Sequence, residues 1–299
     1  MQPFIDVKAL ARIKDLPLLA KTVAQGFLHG LHTSLQRGSG IEFSQYRAYE
    51  PGDSLAKIDW KLFARSDRYF VREAERESQL NVWLVLDASE SMLHSTEGGA
   101  SGSINKLDYG RYLLATLGYL AQQQGDNLGL LALSGNQTAY VAANNGQRHF
   151  QKVLLELARV QSSGVFPSLT AVQNKLSGLR QNGLIFIVSD FYQRNNELLE
   201  FAGNLANTKT DVVAIQLTSE EELTFPHRGA VRFEDLETRQ RLQVSATQIR
   251  AHYLKAQHQF QQDLEQHFSA ARIQHLKVKT EQPLEQVLYD FLMQRSKAG

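Results

Sequence analysis

The chain has 299 residues, 42% of them hydrophobic and 21% charged, an ordinary globular balance with ample apolar material for a sizeable core. Lysine and arginine number 32 against 31 acidic residues, a net charge of +1 that gives no global electrostatic case for nucleic acid or an anionic membrane. The absence of cysteine rules out disulfides and thiolate metal centres and fits a reducing compartment. The start lacks a basic segment followed by an apolar stretch, and no apolar run approaches the roughly 20 residues of a membrane helix, so a cytoplasmic protein is expected.

Residues 5–31 read as one or two helices, with Leu10, Ile13, Leu16, Leu18 and Leu19 forming an apolar stripe interrupted at Pro17. From Arg37 to about Arg65 the pattern is irregular and punctuated by Gly38, Gly40, Pro51 and Gly52. That is long for a structureless loop, and such stretches are usually functional or pinned by specific contacts. Tyr69 to Glu75 alternates like an exposed or half-buried strand.

Beyond Glu77 short continuous apolar runs take over. Val82 to Leu86, Leu184 to Val188 and Val212 to Leu217 read as strands buried on both faces. Leu107 to Gln124 has helical spacing and stops at Gly125; Leu128 to Leu133 and Thr138 to Ala142 read as strands joined by a turn. Helices are expected at Phe150 to Val160, Ala171 to Leu179 and Asn195 to Asn207. Strands alternating with helices imply a mostly parallel sheet covered on both faces, because parallel neighbours need crossovers. Val231 to Val244 breaks the alternation as a hairpin, Ala246 to Ala271 is a long helix, Ile273 to Val278 an edge strand, and Pro283 opens a last helix. The fold class is α/β.

Two of the buried strands lead into aspartate: Leu86 into Asp87, and Val188-Ser189 into Asp190. In an open α/β sheet, ligands bind beyond the carboxyl ends of the strands at a topological switch point. Two carboxylates there repel unless something positive lies between them. Ser89 and Ser91 follow Asp87 at alternate spacing and can aim both hydroxyls at one point, while Thr170 offers a further hydroxyl before a helix. Oxygen-only ligands suit a hard cation such as Mg²⁺, with Mn²⁺ or Ca²⁺ as alternatives. Taken singly, an aspartate at a strand end is as readily a helix cap or turn former; the placement of both after double-buried strands is what points to a site.

Asp87-x-Ser89-x-Ser91, a threonine in a later loop and an aspartate after the next buried strand resemble the metal-ion-dependent adhesion site of von Willebrand factor A domains, and the element order from Asn81 to Leu217 is similar to that fold. The resemblance implies a von Willebrand factor A-like, doubly wound, mostly parallel sheet, with Asp87, Ser89, Ser91, Thr170 and Asp190 around a divalent metal. It also implies an open coordination position for an Asp or Glu of a protein partner. The Thr170 match departs from the family pattern, which often has glycine where this chain has Ser168-Leu169.

Upstream, Arg37-Gly38-Ser39-Gly40-Ile41-Glu42-Phe43, Arg47-Ala48-Tyr49-Glu50-Pro51-Gly52-Asp53, Ile58-Asp59-Trp60-Lys61 and Ala64-Arg65 resemble domain-of-unknown-function family fifty-eight. Its genes typically stand beside those of MoxR-type AAA+ ATPases. The resemblance runs from about Leu28 to Arg295 and implies a short form without membrane helices, a MoxR-type ATPase as partner, and a non-enzymatic adhesion role. It divides the chain into a family-specific segment, 1–77, and a von Willebrand factor A-like domain, 78–299, with a hairpin insertion at about 220–245. The seven basic residues at 37, 47, 57, 61, 65, 68 and 72 alternate with Glu42, Glu50, Asp53, Asp59 and Asp67, which favours an ion-pair and turn network over a docking surface.

The main rival is a metal-dependent phosphohydrolase using Asp87, but such enzymes carry an acidic residue two positions later, where Ser89 stands. The Gly98 to Ser103 loop lacks the phosphate-binding pattern, the nine histidines show no metal-binding spacing, and no nucleophile and base pair is evident.

Overall fold

The computed structural model describes residues 15–35, 46–48, 70–72, 80–95, 104–135, 138–167, 178–179, 183–193, 196–206 and 209–298. The chain forms two compact units, residues 29–79 and the remainder. In the smaller unit β1 (Tyr46–Ala48) and β2 (Phe70–Arg72) pair antiparallel, Arg47 opposite Val71. The other residues of the upstream block lie outside the described residues.

The larger unit begins with the first part of α1 (Leu16–Leu35), where Leu19, Ala20, Val23 and Ala24 are fully buried. Pro17 does not interrupt this helix. It occupies the first turn, where a missing N–H leaves no intrahelical bond unmade, and Asp15 Oδ1 accepts from Leu18 N at 3.0 Å. The sheet that follows contains β3 (Asn81–Asp87), β4 (Asn127–Leu133), β5 (Thr138–Asn144), β6 (Gly183–Ser189), β7 (Thr210–Thr218) and β10 (Gln274–Lys279). Their spatial order is β10-β7-β6-β3-β4-β5, parallel except for β5, which pairs antiparallel with β4. This is a doubly wound, mostly parallel α/β sheet, as expected. β3 leads to β4 on one side and β6 to β7 on the other, so the topological switch point lies between β3 and β6.

Successive side chains of a strand face opposite layers. Trp83, Val85, Leu131, Leu133, Ile185 and Ile187 share one core with α4 (Glu197–Leu205) and with Leu264 and Phe268 of α6 (Ala246–Ala270). Leu84, Leu86, Leu128 and Val188 meet α2 (Lys106–Gln123) on the other face through its glycines. A Cβ on Gly110 would stand 3.0 Å from Leu86 and Val188, and one on Gly118 3.2 Å from Leu84 and Leu128. These two glycines, two turns apart on one face, let α2 approach the sheet closely and bring its first residue to the carboxyl edge of β3 and β6. α3 (Gln147–Arg159) packs beside α2, and its expected apolar side, Val153, Leu154 and Leu157, is buried.

Between β7 and α6 stand a one-turn helix, α5 (Glu220–Thr224), and the antiparallel hairpin β8 (Ala230–Glu234) and β9 (Arg241–Ser245), where the hairpin insertion was expected. The chain closes with edge strand β10 and α7 (Leu284–Ala298). Among the described residues no helix is long and apolar enough to cross a membrane. The expected helix over Ala171 to Leu179 lies outside the described residues except for Gly178 and Leu179.

Candidate functional site

Asp87 ends β3 and Asp190 follows β6, and the two strands are hydrogen-bonded neighbours, with Leu86 opposite Val188. Both carboxylates therefore emerge side by side at the switch point, and both are fully buried, as are Ser89 and Ser189. The loop after β3 turns back on itself: Ser89 N donates to Asp87 Oδ1 at 2.9 Å, and Glu90–Leu93 form a single 3₁₀ turn. Its backbone is tied down at both sides, Ala88 N to Leu133 O at 2.8 Å and Glu90 N to Gly164 O at 2.9 Å.

Ser89 Oγ and Ser91 Oγ lie 3.1 Å apart, and Ser91 Oγ is 3.4 Å from Asp190 Oδ1. Four of the five expected residues, Asp87, Ser89, Ser91 and Asp190, are thus brought to one edge. Thr170 lies outside the described residues. The loop that leads toward it passes the site, since Ser163 N donates to Ala88 O at 3.1 Å.

Sequence reasoning missed four further participants. Ser189 Oγ donates to Asp87 Oδ2 at 2.5 Å and accepts from Phe191 N at 2.9 Å; Gln193 Nε2 donates to Asp87 Oδ2 at 2.8 Å. Lys106, the first residue of α2 and 1% exposed, places Nζ 3.2 Å from Asp190 Oδ2 and 2.6 Å from Glu222 Oε1, and 5.1 Å above the ring of Tyr192. Glu222 is held in turn by a capping box with Ser219. Two signals were available. A lysine in the first turn of a helix opposes the macrodipole and calls for a specific partner, and Ser219-x-x-Glu222 is a recognisable capping pattern.

Asp190 and Glu222 contact the Lys106 ammonium, and with the neighbouring Asp87 the acids of this site exceed that one cation by two negative charges among the described residues. The strain falls on Asp87, whose pKa is pushed up to about 6, first by burial and then by the charge of Asp190, against hydrogen bonds from Ser189 and Ser89. For Lys106 burial acts to lower the pKa, but Asp190 and Glu222 outweigh it and hold the group charged. Glu222 is itself kept below its ordinary value, since Lys106 and the Ser219 backbone overcome its burial.

Among the described residues no group of three or more His, Cys, Asp or Glu side chains could hold a metal ion. The candidate set instead combines two carboxylates with two hydroxyls. Donor chemistry and excess charge both fit a hard divalent cation, and neither suits a soft or imidazole-preferring metal.

Residues 45–263 match the model of a family described as "Protein of unknown function DUF58". An "Uncharacterized protein" of Mycobacterium tuberculosis is 29% identical over 236 residues, 78% of this chain and 72% of the relative. Among solved structures, the conserved hypothetical protein BatB of Bacteroides thetaiotaomicron aligns with 73% of this chain and 99% of its own, at 12% identity and a TM-score of 0.44. The VWA domain of SpRpn10 aligns with 70% of this chain and 94% of its own, at 12% identity and a TM-score of 0.38.

Proposed function

The chain belongs to the DUF58 family, and with its von Willebrand factor A-like module as premise we propose that it is a metal-dependent protein-binding module rather than an enzyme. The observation that carries the reading is the convergence of Asp87, Ser89, Ser91 and Asp190 at the switch point, with an excess of two negative charges among the described residues. Those residues, with Thr170 by resemblance, would hold Mg²⁺, Mn²⁺ or Ca²⁺. A bound cation would supply an electrophilic coordination position for an Asp or Glu of a protein partner.

The chain's own residues prepare that position. Ser189 and Gln193 hold Asp87 Oδ2, and Ser89 N holds Oδ1, so the carboxylate is fixed before any ligand arrives. Oδ2 accepts two hydrogen bonds and Oδ1 one, which leaves acceptor capacity on Oδ1 for a cation. Beside the loop, Glu90 pairs with the exposed Arg239 at the hairpin tip, 3.3 Å away, so the insertion flanks the edge that a partner would approach.

The partner proposed is a MoxR-type AAA+ ATPase, which the family resemblance suggests, with assembly or remodelling of protein complexes as the joint role. Co-purification of that ATPase with the tagged chain tests this. The expected result is capture in Mg²⁺ that is lost in chelator and lost with Asp87→Ala; capture indifferent to both would exclude a metal-dependent contact.

A further inference from the structure

Among the described residues Lys106 is the only lysine or arginine that is buried. Its side chain is 1% exposed, and its ammonium lies 3.2 Å from Asp190 Oδ2, 2.6 Å from Glu222 Oε1 and 5.1 Å from the ring centroid of Tyr192. The Tyr192 ring is itself stacked on Phe260, with centroids 4.8 Å apart. The position runs against local preference, since a cation at a helix N-terminus meets the positive end of the dipole.

Asp190 is consequently a shared carboxylate. Its Oδ2 faces Lys106, while its Oδ1 faces Ser91 at 3.4 Å and accepts from Tyr192 N at 3.2 Å. Whatever cation the serine side of this edge takes, it meets a like charge across the width of one carboxyl group, in a place where solvent screens little. Glu222 offers the alternative: it lies nearer to Nζ than Asp190 does, and it is fixed by Ser219 N at 2.8 Å.

We propose that Lys106 is a resident counter-cation that competes with the divalent ion for Asp190, and that Glu222 draws it away, so that this pair sets the metal affinity of the site. The inference rests on the metal-binding reading above. It makes opposite predictions for two residues, neither of which is a proposed ligand. Lys106→Met removes the competing charge and tightens metal binding about tenfold or more; Glu222→Gln leaves Lys106 to Asp190 alone and weakens binding severalfold. A network that only supported the fold would weaken binding in both variants.

The test is calorimetric titration of MgCl₂ and MnCl₂ into the full chain and the two variants, with melting curves in chelator to show that each is folded. Tighter binding by Lys106→Met together with weaker binding by Glu222→Gln supports the proposal. Equal or weaker binding by Lys106→Met overturns it. If Lys106→Met does not fold, Glu222→Gln decides alone, and unchanged or tighter binding there overturns it. Absence of binding in both the wild type and Lys106→Met overturns the metal reading itself, and the proposal with it; binding by the wild type with unshifted variants overturns the proposal only.

Discussion

His275 on β10 shows how burial of a single titratable side chain ties stability to pH at a distance from the candidate site. Its ring lies 4.7 Å from that of Phe268, and its Nε2 is 3.2 Å from Gln216 Oε1. Burial first, and then the neighbouring Lys277 ammonium, pull its pKa down to about 4, with Glu265 opposing. A folded-state value below the unfolded one means the unfolded chain binds the proton more readily. The contribution is fully present above about pH 6.5 and is lost as pH falls toward 4. The full shift is worth about 3 kcal/mol, and partial solvent access reduces that to about 1–2 kcal/mol. Urea unfolding at pH 7 and pH 4.5 checks this: His275→Gln loses less stability between the two than the wild type does, whereas equal losses would contradict it.

At the scale of elements, the packing of β4 on β3 turns on one glycine. Gly129 stands opposite Trp83, and a Cβ there would lie 2.5 Å from the indole, which is 2% exposed and stacked on Tyr140. Gly129→Ala is expected to cost about 1–3 kcal/mol by overpacking. Gly203 on α4 has no heavy atom within 4 Å of a built Cβ, so Gly203→Ala is expected to be neutral or stabilising by up to about 1 kcal/mol. Thermal melts should show a lower midpoint for Gly129→Ala and an unchanged or higher one for Gly203→Ala; a fall in both would show that α4 does not tolerate the change. Much of this scale was legible beforehand. The apolar runs Val82 to Leu86 and Leu184 to Val188 read as strands covered on both faces and are strands, and Gly125, at φ +80°, does stop α2. Pro17 falls in the first turn of α1, where proline is well suited, and residues 5–14 before it lie outside the described residues. Lys106 and Glu222 escaped because their partnership joins positions 116 residues apart in sequence, which no local pattern encodes.

At the scale of the whole molecule, near-neutral charge and an ordinary core give no hint of activity; topology supplies it. Order β10-β7-β6-β3-β4-β5 sets the ends of β3 and β6 side by side at the reversal point. That turns two aspartates 103 positions apart in sequence into one buried edge, with the serines of a tied-down loop beside it. The division into units also differs from a cut at residue 77, because the first part of α1 belongs with the sheet and residues 29–79 form the smaller unit. The central claim is that this edge binds one divalent cation. Isothermal titration of MgCl₂ or MnCl₂ into the chain and its Asp87→Ala variant tests it most directly. The account predicts one ion per chain for the wild type and binding weakened at least about tenfold, or abolished, in the variant, since a carboxylate is removed from an all-oxygen set. Equal affinity in the two proteins, or no binding by the wild type, would contradict it.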